Sequence, residues 1–441
     1  VEAGRRIGGV AGNRVGAVGV MVGASALGVG LVLVNTGLAG EQLGLVLAQQ
    51  EIDLLVHDEE FAAIVDVLVD GPKTLSESAF AAAVDALPVG TSVDRPEPAG
   101  RTIILTSGTT GVPKGAARRT PKGVGALVSM IDRIPLHVGD RILIAAPIFH
   151  TWGYAALQLS FGMSATVILR RRFDPRDVVE VLEGERVQAM FAVPVMLQRM
   201  IEQLPADPGG TVRRPSLRVV ATSGSAYPSG FTTRFMDEYG DVLYNLYGST
   251  EASWICIATP SDLRRHPDTA GTPPLGTVVR LLDADGAEVP DGETGRIFCG
   301  NEMVFEGYTS GGSKEFIDGM VSTGDMGHRA DGLYFIDGRD DDMVISGGEN
   351  VYPSEVEGLL VAHPAVREVS VVGVPDPDFG QRLAAFIALE PGAELSADDV
   401  RDLVRSQRAR HCVPREVVFL DELPRNTTGK ILTRELKARF V

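Results

Sequence analysis

The stretch IILTSGTTGVPKG, residues 103–115, reads as a buried strand running straight into a loop suited to holding phosphate. Ile103, Ile104 and Leu105 form a short β-type apolar run. Thr106, Ser107, Thr109 and Thr110 then place four hydroxyls among Gly108 and Gly111, and Lys114 adds a mobile positive charge. Glycines let backbone N–H groups turn toward an anion, hydroxyls donate further hydrogen bonds, and a lysine acts as a point charge. The loop is not the P-loop of NTPases: Pro113 precedes the lysine, no Ser or Thr follows it, and no helix is expected to start there. Taken alone, the stretch also fits a polar turn between strands.

Working outward, 441 residues make two or three domains, and 44% apolar with 22% charged content is ordinary for a globular enzyme. A net charge of −17 argues against a nucleic-acid surface, so anionic ligands must be met by local basic groups. Cys256, Cys299 and Cys412 are far apart, without metal-ligand spacing, and read as reduced thiols of a cytoplasmic protein. From Val15 to Val34 there is no charged residue, which imitates a membrane span. Glycines at 16, 19, 23, 28 and 30 favour another reading: a helix packed through small residues, followed by a buried strand Leu31 to Val34.

Further along, the apolar run Arg141 to Ala146 ends in PIFHTWGY, residues 147–154. Read as a strand end, it sets His150, Trp152 and Tyr154 at the mouth of a pocket, with Gly153 leaving room beside them. Ala165–Leu169, Asp177–Leu182 and Ala189–Val193 then alternate strand, helix and strand, the pattern of a parallel sheet. In TSGSAYP, residues 222–228, the small side chains of Gly224, Ser225 and Ala226 follow a strand and would let a flat purine lie against backbone. LYNLYGSTE, residues 243–251, offers the Tyr247 ring for stacking, the Thr250 hydroxyl, and the Glu251 carboxylate as a hard oxygen ligand for magnesium. STGDMGH, residues 322–328, carries Asp325, able to accept from both hydroxyls of a ribose. Arg339 opens the acidic run of residues 338–357, and Lys430 sits on a polar loop within LPRNTTGKILTREL, residues 423–436.

In this order, and over nearly the whole chain, these stretches resemble the signatures of the adenylate-forming superfamily, with the strongest kinship to acyl-CoA synthetases, the fatty-acid–CoA ligases. The resemblance implies an α/β fold. A large N-terminal domain of mixed α/β subdomains with a small β subdomain spans residues 1–340. A small mobile α+β C-terminal domain spans residues 342–441, with Asp341 as the hinge between them. The family usually carries several dozen residues ahead of the first helix and strand, so a chain beginning at Val1 is expected to be N-terminally incomplete.

By the same resemblance, ATP is held by Thr106, Ser107, Gly108, Thr109, Thr110, Gly111, Lys114, Gly224, Ser225, Ala226, Asn245, Tyr247, Gly248, Asp325 and Arg339. Glu251 and Thr109 carry Mg2+. Lys430, His150, Glu251 and Thr250 serve the chemistry, and His150, Trp152 and Gly153 border the acid. Ser346, Gly347, Gly348 and Glu349 approach coenzyme A once the small domain has turned. The implied reaction forms an acyl adenylate and pyrophosphate, then an acyl-CoA and AMP. Amino-acid-activating relatives place an aspartate shortly after the aromatic His segment; Tyr154 to Phe161 holds none, which points to a fatty or aryl acid, with a fatty acid preferred. The compact stretch Gly324 to Arg339 favours coenzyme A over a carrier protein. A carrier-protein ligase, an oxidative luciferase and a non-catalytic truncated member stay open as alternatives. Expected partners are small: a carboxylic acid, ATP and coenzyme A, without nucleic acid or a transmembrane span, leaving room for peripheral membrane contact and a homodimer.

Overall fold

The computed structural model describes residues 5–38, 40–66, 68, 71–92, 100–106, 113–118, 123–203, 216–227, 230–340, 344–346, 349–351, 353–376, 380–426 and 429–440. Among the described residues four sheets carry the fold. In the first, the strands run in the order Gly307–Tyr308, Gly115–Arg118, Thr102–Leu105, Gly30–Leu33, Arg6–Val10, Leu54–His57 and Lys73–Ser76. In the second the order is Ser253–Ala258, Leu243–Ser249, Val219–Ser223, Ala189–Ala192, Arg141–Ile144 and Thr166–Leu169. Five successive strands of each sheet pair in parallel, Thr102–Leu105 through Lys73–Ser76 in the first and Leu243–Ser249 through Thr166–Leu169 in the second, and the near-continuous apolar sequences TIIL, RILI, AMFA and VVATS follow from burial on both faces.

Between the strands of the second sheet the helices are signalled locally. Asp174 caps the helix Pro175–Gly184 by accepting from the amides of Arg176 and Asp177, and Val178, Val181 and Leu182 turn inward. Pro194 opens the helix Pro194–Glu202, where a missing N–H goes unnoticed. Phe191 and Phe235 are wholly buried in the shared core. The charge-free window Val15 to Val34 is a twelve-residue helix, Val15–Ala26, followed by the strand Gly30–Leu33. Among the described residues no helix is long and apolar enough to cross a membrane.

A small antiparallel β subdomain follows, ordered Val278–Leu282, Gly295–Gly300, Met320–Ala330 and Phe316–Ile317, with Leu333–Arg339 also paired to Met320–Ala330. The last sheet belongs to the C-terminal domain and runs Glu349–Val351, Val344–Ser346, Gly380–Leu389, Val366–Asp376, with Glu416–Phe419 beside Gly380–Leu389. The helices Pro353–Val361 and Ala397–Gln407 pack on it, the second started by a reciprocal Ser396–Asp399 cap.

Residues 59–65 form a 3-10 turn, Glu59–Phe61, and a single helical turn, Ala62–Val65. One expected element shifts. The PIFHTWGY segment is not a strand end: His150 is the extended residue that caps the helix Thr151–Gly162. Trp152, Gly153 and Tyr154 therefore stand in a first helical turn.

Candidate active site

The site is assembled where the strand ends of the second sheet, the β subdomain and the C-terminal loop meet. Leu243–Ser249 lies parallel to Val219–Ser223, with Thr222 opposite Asn245 and Ser223 opposite Leu246. This brings Gly224, Ser225 and Ala226 beside the LYNLYGSTE strand. At Gly248 the ladder to Ser253–Ala258 slips by a bulge. A Cβ there would lie 2.0 Å from the Ser253 carbonyl, and Ser253 itself has φ of 66°, so the turn that presents Thr250 and Glu251 requires glycine at 248.

Asp325 and Arg339 face each other across the hairpin Met320–Ala330/Leu333–Arg339. Arg339 Nη1 donates to Asp325 Oδ1 at 3.2 Å and the Tyr247 hydroxyl donates to Asp325 Oδ2 at 2.5 Å. Burial, then the Asp325 carboxylate, raises the Tyr247 phenol well above its ordinary range, so it stays a donor. Tyr247, expected as a stacking face, thus also anchors the carboxylate expected at the ribose.

Around Glu251 the contacts come from the first sheet. The Tyr308 hydroxyl donates to Glu251 Oε1 at 2.7 Å, and Lys114 Nζ lies 5.1 Å from the centre of the Tyr308 ring. The neck of the phosphate loop is closed by Thr106 and Lys114: the Thr106 amide donates to the Lys114 carbonyl at 2.8 Å and the Lys114 amide to Thr106 Oγ1 at 3.2 Å. Ser107, Gly108, Thr109, Thr110 and Gly111 lie outside the described residues. Arg118, on the strand that leaves this loop, donates through Nε at 3.2 Å and through Nη2 to the Thr250 carbonyl. Burial lowers the Arg118 guanidinium to about 10, partly offset by Glu251. Thr250 Oγ1 is 3.3 Å from Thr151 Oγ1 at the start of the His150 helix.

His150 Nε2 is buried and has no hydrogen-bond partner among the described residues. Burial, reinforced by the positive charges of Lys430 and Arg118, lowers its pKa to about 4, so the ring is neutral near pH 7. Trp152 and Gly153 follow His150, buried, in the first helical turn. The Trp152 indole donates to the Ala192 carbonyl at 3.0 Å and packs 5.2 Å from Phe191, while a Cβ at Gly153 would lie 2.2 Å from the Pro147 carbonyl.

Lys430 reaches this cluster from the C-terminal domain. Its loop is braced by the Lys430 amide on Asn426 Oδ1 (2.9 Å), Arg425 on the Gly429 carbonyl (2.6 Å) and the Arg425–Glu368 ion pair (3.1 Å). Gly429 is buried against Val195 and Val193 of the N-terminal domain. Burial lowers the Lys430 ammonium, while Asp325 and Glu251 oppose that shift and Arg339 adds to it. Lys430, Asp325 and Glu251 thus share one electrostatic neighbourhood. Asp341, Gly347 and Gly348 lie outside the described residues; Ser346 and Glu349 pair across the hairpin Val344–Ser346/Glu349–Val351 of the C-terminal domain.

The sequence profile of the AMP-binding enzyme family matches residues 1–309, and that of the AMP-binding enzyme C-terminal domain matches residues 355–430. The chain belongs to the AMP-binding enzyme family. It is 34% identical to an indoleacetate–CoA ligase of Aromatoleum aromaticum, covering 92% of this chain and 83% of the relative. A 2-succinylbenzoate–CoA ligase of Geobacillus kaustophilus is 33% identical, covering 96% and 86%. The o-succinylbenzoate CoA synthetase of Bacillus subtilis, solved with its acyl-adenylate intermediate, superposes with a TM-score of 0.86 at 29% identity, covering 99% of this chain and 89% of that one. These relatives place the protein among the AMP-forming acyl-CoA synthetases, and the two-domain α/β architecture agrees.

Two residues of this AMP-binding enzyme's site escaped the sequence reading. Arg118 carried a faint signal, a charge ending the small-residue strand GAAR directly behind the phosphate loop. Tyr308 carried none, because its contact with Glu251 spans 57 residues.

Proposed function

We propose that this AMP-binding enzyme is an acid–CoA ligase: it joins an apolar monocarboxylic acid to ATP as acyl adenylate, then transfers the acyl group to coenzyme A. The observation that carries the reading is the docking of the Lys430 loop on Val193 and Val195 through Gly429, which brings the ammonium within electrostatic reach of Glu251, Asp325 and Arg339. In the first step a carboxylate oxygen attacks the α-phosphorus, an O–P bond forms and pyrophosphate leaves. The acid is already ionised near neutral pH, so no base is required. Negative charge grows on the phosphoryl oxygens, and the fixed positive groups Lys430, Arg339 and Lys114 would meet it inside a protein whose net charge is −17. His150 supplies an uncharged hydrogen-bonding atom, its Nε2, without a partner among the described residues, where the acid is expected.

The donor set suits Mg2+. Among the described residues no group of three or more His, Cys, Asp or Glu could cage a metal. One carboxylate, Glu251, with hydroxyl oxygens at Thr250 is what a cation arriving on ATP phosphates needs. When bound, Mg2+ supplies charge neutralisation on the triphosphate. Asp325, held by Arg339 and Tyr247, would take the ribose.

In the second step the thiol sulfur attacks the acyl carbon, the acyl–oxygen bond breaks and AMP leaves. The small domain would turn about Asp341 to bring residues 346–349 toward the pantetheine arm. Coenzyme A is favoured over a carrier protein by the Met320–Ala330/Leu333–Arg339 hairpin, closed by only Asp331 and Gly332. Of the two acid classes, we favour an aryl acid over the fatty acid preferred from sequence, because ligases named for aryl acids align along most of the chain. The Trp152 and Phe191 rings, 5.2 Å apart and tilted by 50° to one another, make the helix start next to His150 stiff and aromatic. The test is a panel of indole-acetic, cinnamic, benzoic and graded fatty acids with ATP, Mg2+ and coenzyme A. AMP and acyl-CoA should appear in equal amounts, fastest with an aryl acid. Faster turnover of a long fatty acid would overturn the aryl reading, and no AMP with any acid would overturn the ligase itself.

A further inference from the structure

Tyr308 stands between the two charged groups that the first half-reaction must keep apart. It lies on the strand Gly307–Tyr308, paired antiparallel to Gly115–Arg118 with Tyr308 opposite Ala116, so its position is tied to the exit of the phosphate loop. The Thr309 amide donates to the Gly115 carbonyl at 2.8 Å and the Glu306 amide to the Ala117 carbonyl at 3.0 Å. Its ring packs edge-on against Phe305 at 5.0 Å, and the Phe305 amide donates to the Glu251 carbonyl at 2.8 Å. The Tyr308 side chain is thereby fixed on both sides. From that place its hydroxyl holds Glu251 Oε1 and its ring face receives the Lys114 ammonium.

We infer that Tyr308 is a positioning residue of the metal–phosphate site, aiming the Glu251 carboxylate and holding Lys114 apart from it until magnesium–ATP binds. The inference rests on Glu251 being the metal carboxylate. A carboxylate has two oxygens; a hydroxyl bound to Oε1 fixes the plane of the group and directs Oε2 to the cation. Without the tyrosine between them, a lysine and a glutamate that both touch it would be drawn into an ion pair, which would compete with the cation for the carboxylate and with phosphate for the ammonium. The ring offers Lys114 a weaker cation–π partner that phosphate can displace.

The two roles separate by substitution. Tyr308→Phe keeps the ring and its packing on Phe305 but removes the hydroxyl; Tyr308→Leu removes both. The readout is the rise in melting temperature caused by ATP as Mg2+ is titrated, with a parallel series in EDTA. For Tyr308→Phe the Mg2+ concentration at half-maximal stabilisation should rise about 10-fold, the usual consequence of losing an outer-shell partner, while the ATP effect in EDTA is unchanged. For Tyr308→Leu the Mg2+ midpoint should rise at least as far and the ATP effect in EDTA should also weaken. Glu251→Gln is the reference. If it shifts the Mg2+ midpoint and Tyr308→Phe does not, Tyr308 has no positioning role. If Glu251→Gln leaves the midpoint unmoved, Glu251 is not the metal carboxylate and the inference falls with it. Should Tyr308→Leu fail to fold, the Phe variant decides alone.

Discussion

Gly429→Ala tests whether the lysine loop works by docking on the N-terminal domain. Gly429 has φ of +82°, and a Cβ there would lie 2.6 Å from Val195 Cγ1, 3.5 Å from Val195 Cβ and 3.8 Å from Val193 Cγ2. Val195 stands in the first turn of the helix Pro194–Glu202, where a β-branched side chain has one strongly preferred rotamer and little freedom to retreat. The left-handed φ penalises alanine by about 1 kcal/mol wherever the loop keeps this shape. The clash exists only when the loop is docked, and overpacking of this kind costs about 1–3 kcal/mol. Taking about 2 kcal/mol, the docked population falls roughly 30-fold. Adenylate formation should fall by that factor in a single-turnover assay, and thioester formation from supplied acyl adenylate should not. Val195→Ala in the same chain removes the clash and should restore most of the first step. Equal loss in both half-reactions, or no rescue by Val195→Ala, would refute the docking argument.

Glu251→Gln replaces a hard anionic oxygen with an amide and should raise the Mg2+ requirement of ATP–pyrophosphate exchange about 100-fold, the upper end of what even outer-shell losses produce; an unchanged titration removes it from the metal site. His150 makes stability depend on pH. Its folded pKa of about 4 lies below the ordinary 6.5, so the folded state binds fewer protons than the unfolded one between those values. Stability is therefore full above pH 6.5 and lost as pH falls toward 4, by on the order of 3 kcal/mol. Urea unfolding at stepped pH should show this loss, and His150→Asn should abolish that part of it; identical profiles would contradict the burial of a neutral ring.

The parallel sheets were legible because their strands announce themselves. Ala189–Val193 was expected and Ala189–Ala192 found, with Pro194 starting the helix that follows. The PIFHTWGY segment misled because the helix Thr151–Gly162 buries residues around much of its circumference, Trp152, Gly153, Ala156, Leu157, Leu159 and Ser160, and so lacks the one-sided apolar stripe that marks a surface helix. The charge-free window Val15 to Val34 was read as a helix followed by a buried strand, and Gly28, at φ of 65°, stands at the break between Val15–Ala26 and Gly30–Leu33. At the site, Lys430, Glu251 and Asp325 were picked out by resemblance to a family, since nothing local brings residues so far apart in sequence together. Arg118 and Tyr308 depend on strand pairing with distant segments, Gly115–Arg118 beside Thr102–Leu105 and Gly307–Tyr308 beside Gly115–Arg118, and such registers become visible only in three dimensions.

The central claim is that Lys430, carried in by the C-terminal domain, serves adenylate formation alone. Lys430→Ala should be followed in two separate single-turnover reactions: acid, ATP and Mg2+ giving acyl adenylate and pyrophosphate, and supplied acyl adenylate with coenzyme A giving acyl-CoA and AMP. The first should fall about 100-fold or more, as expected when one preorganised charge is removed from a phosphoryl transition state, and the second should stay within about twofold of the parent. Equal loss in the two reactions, or an unimpaired first step, would contradict it.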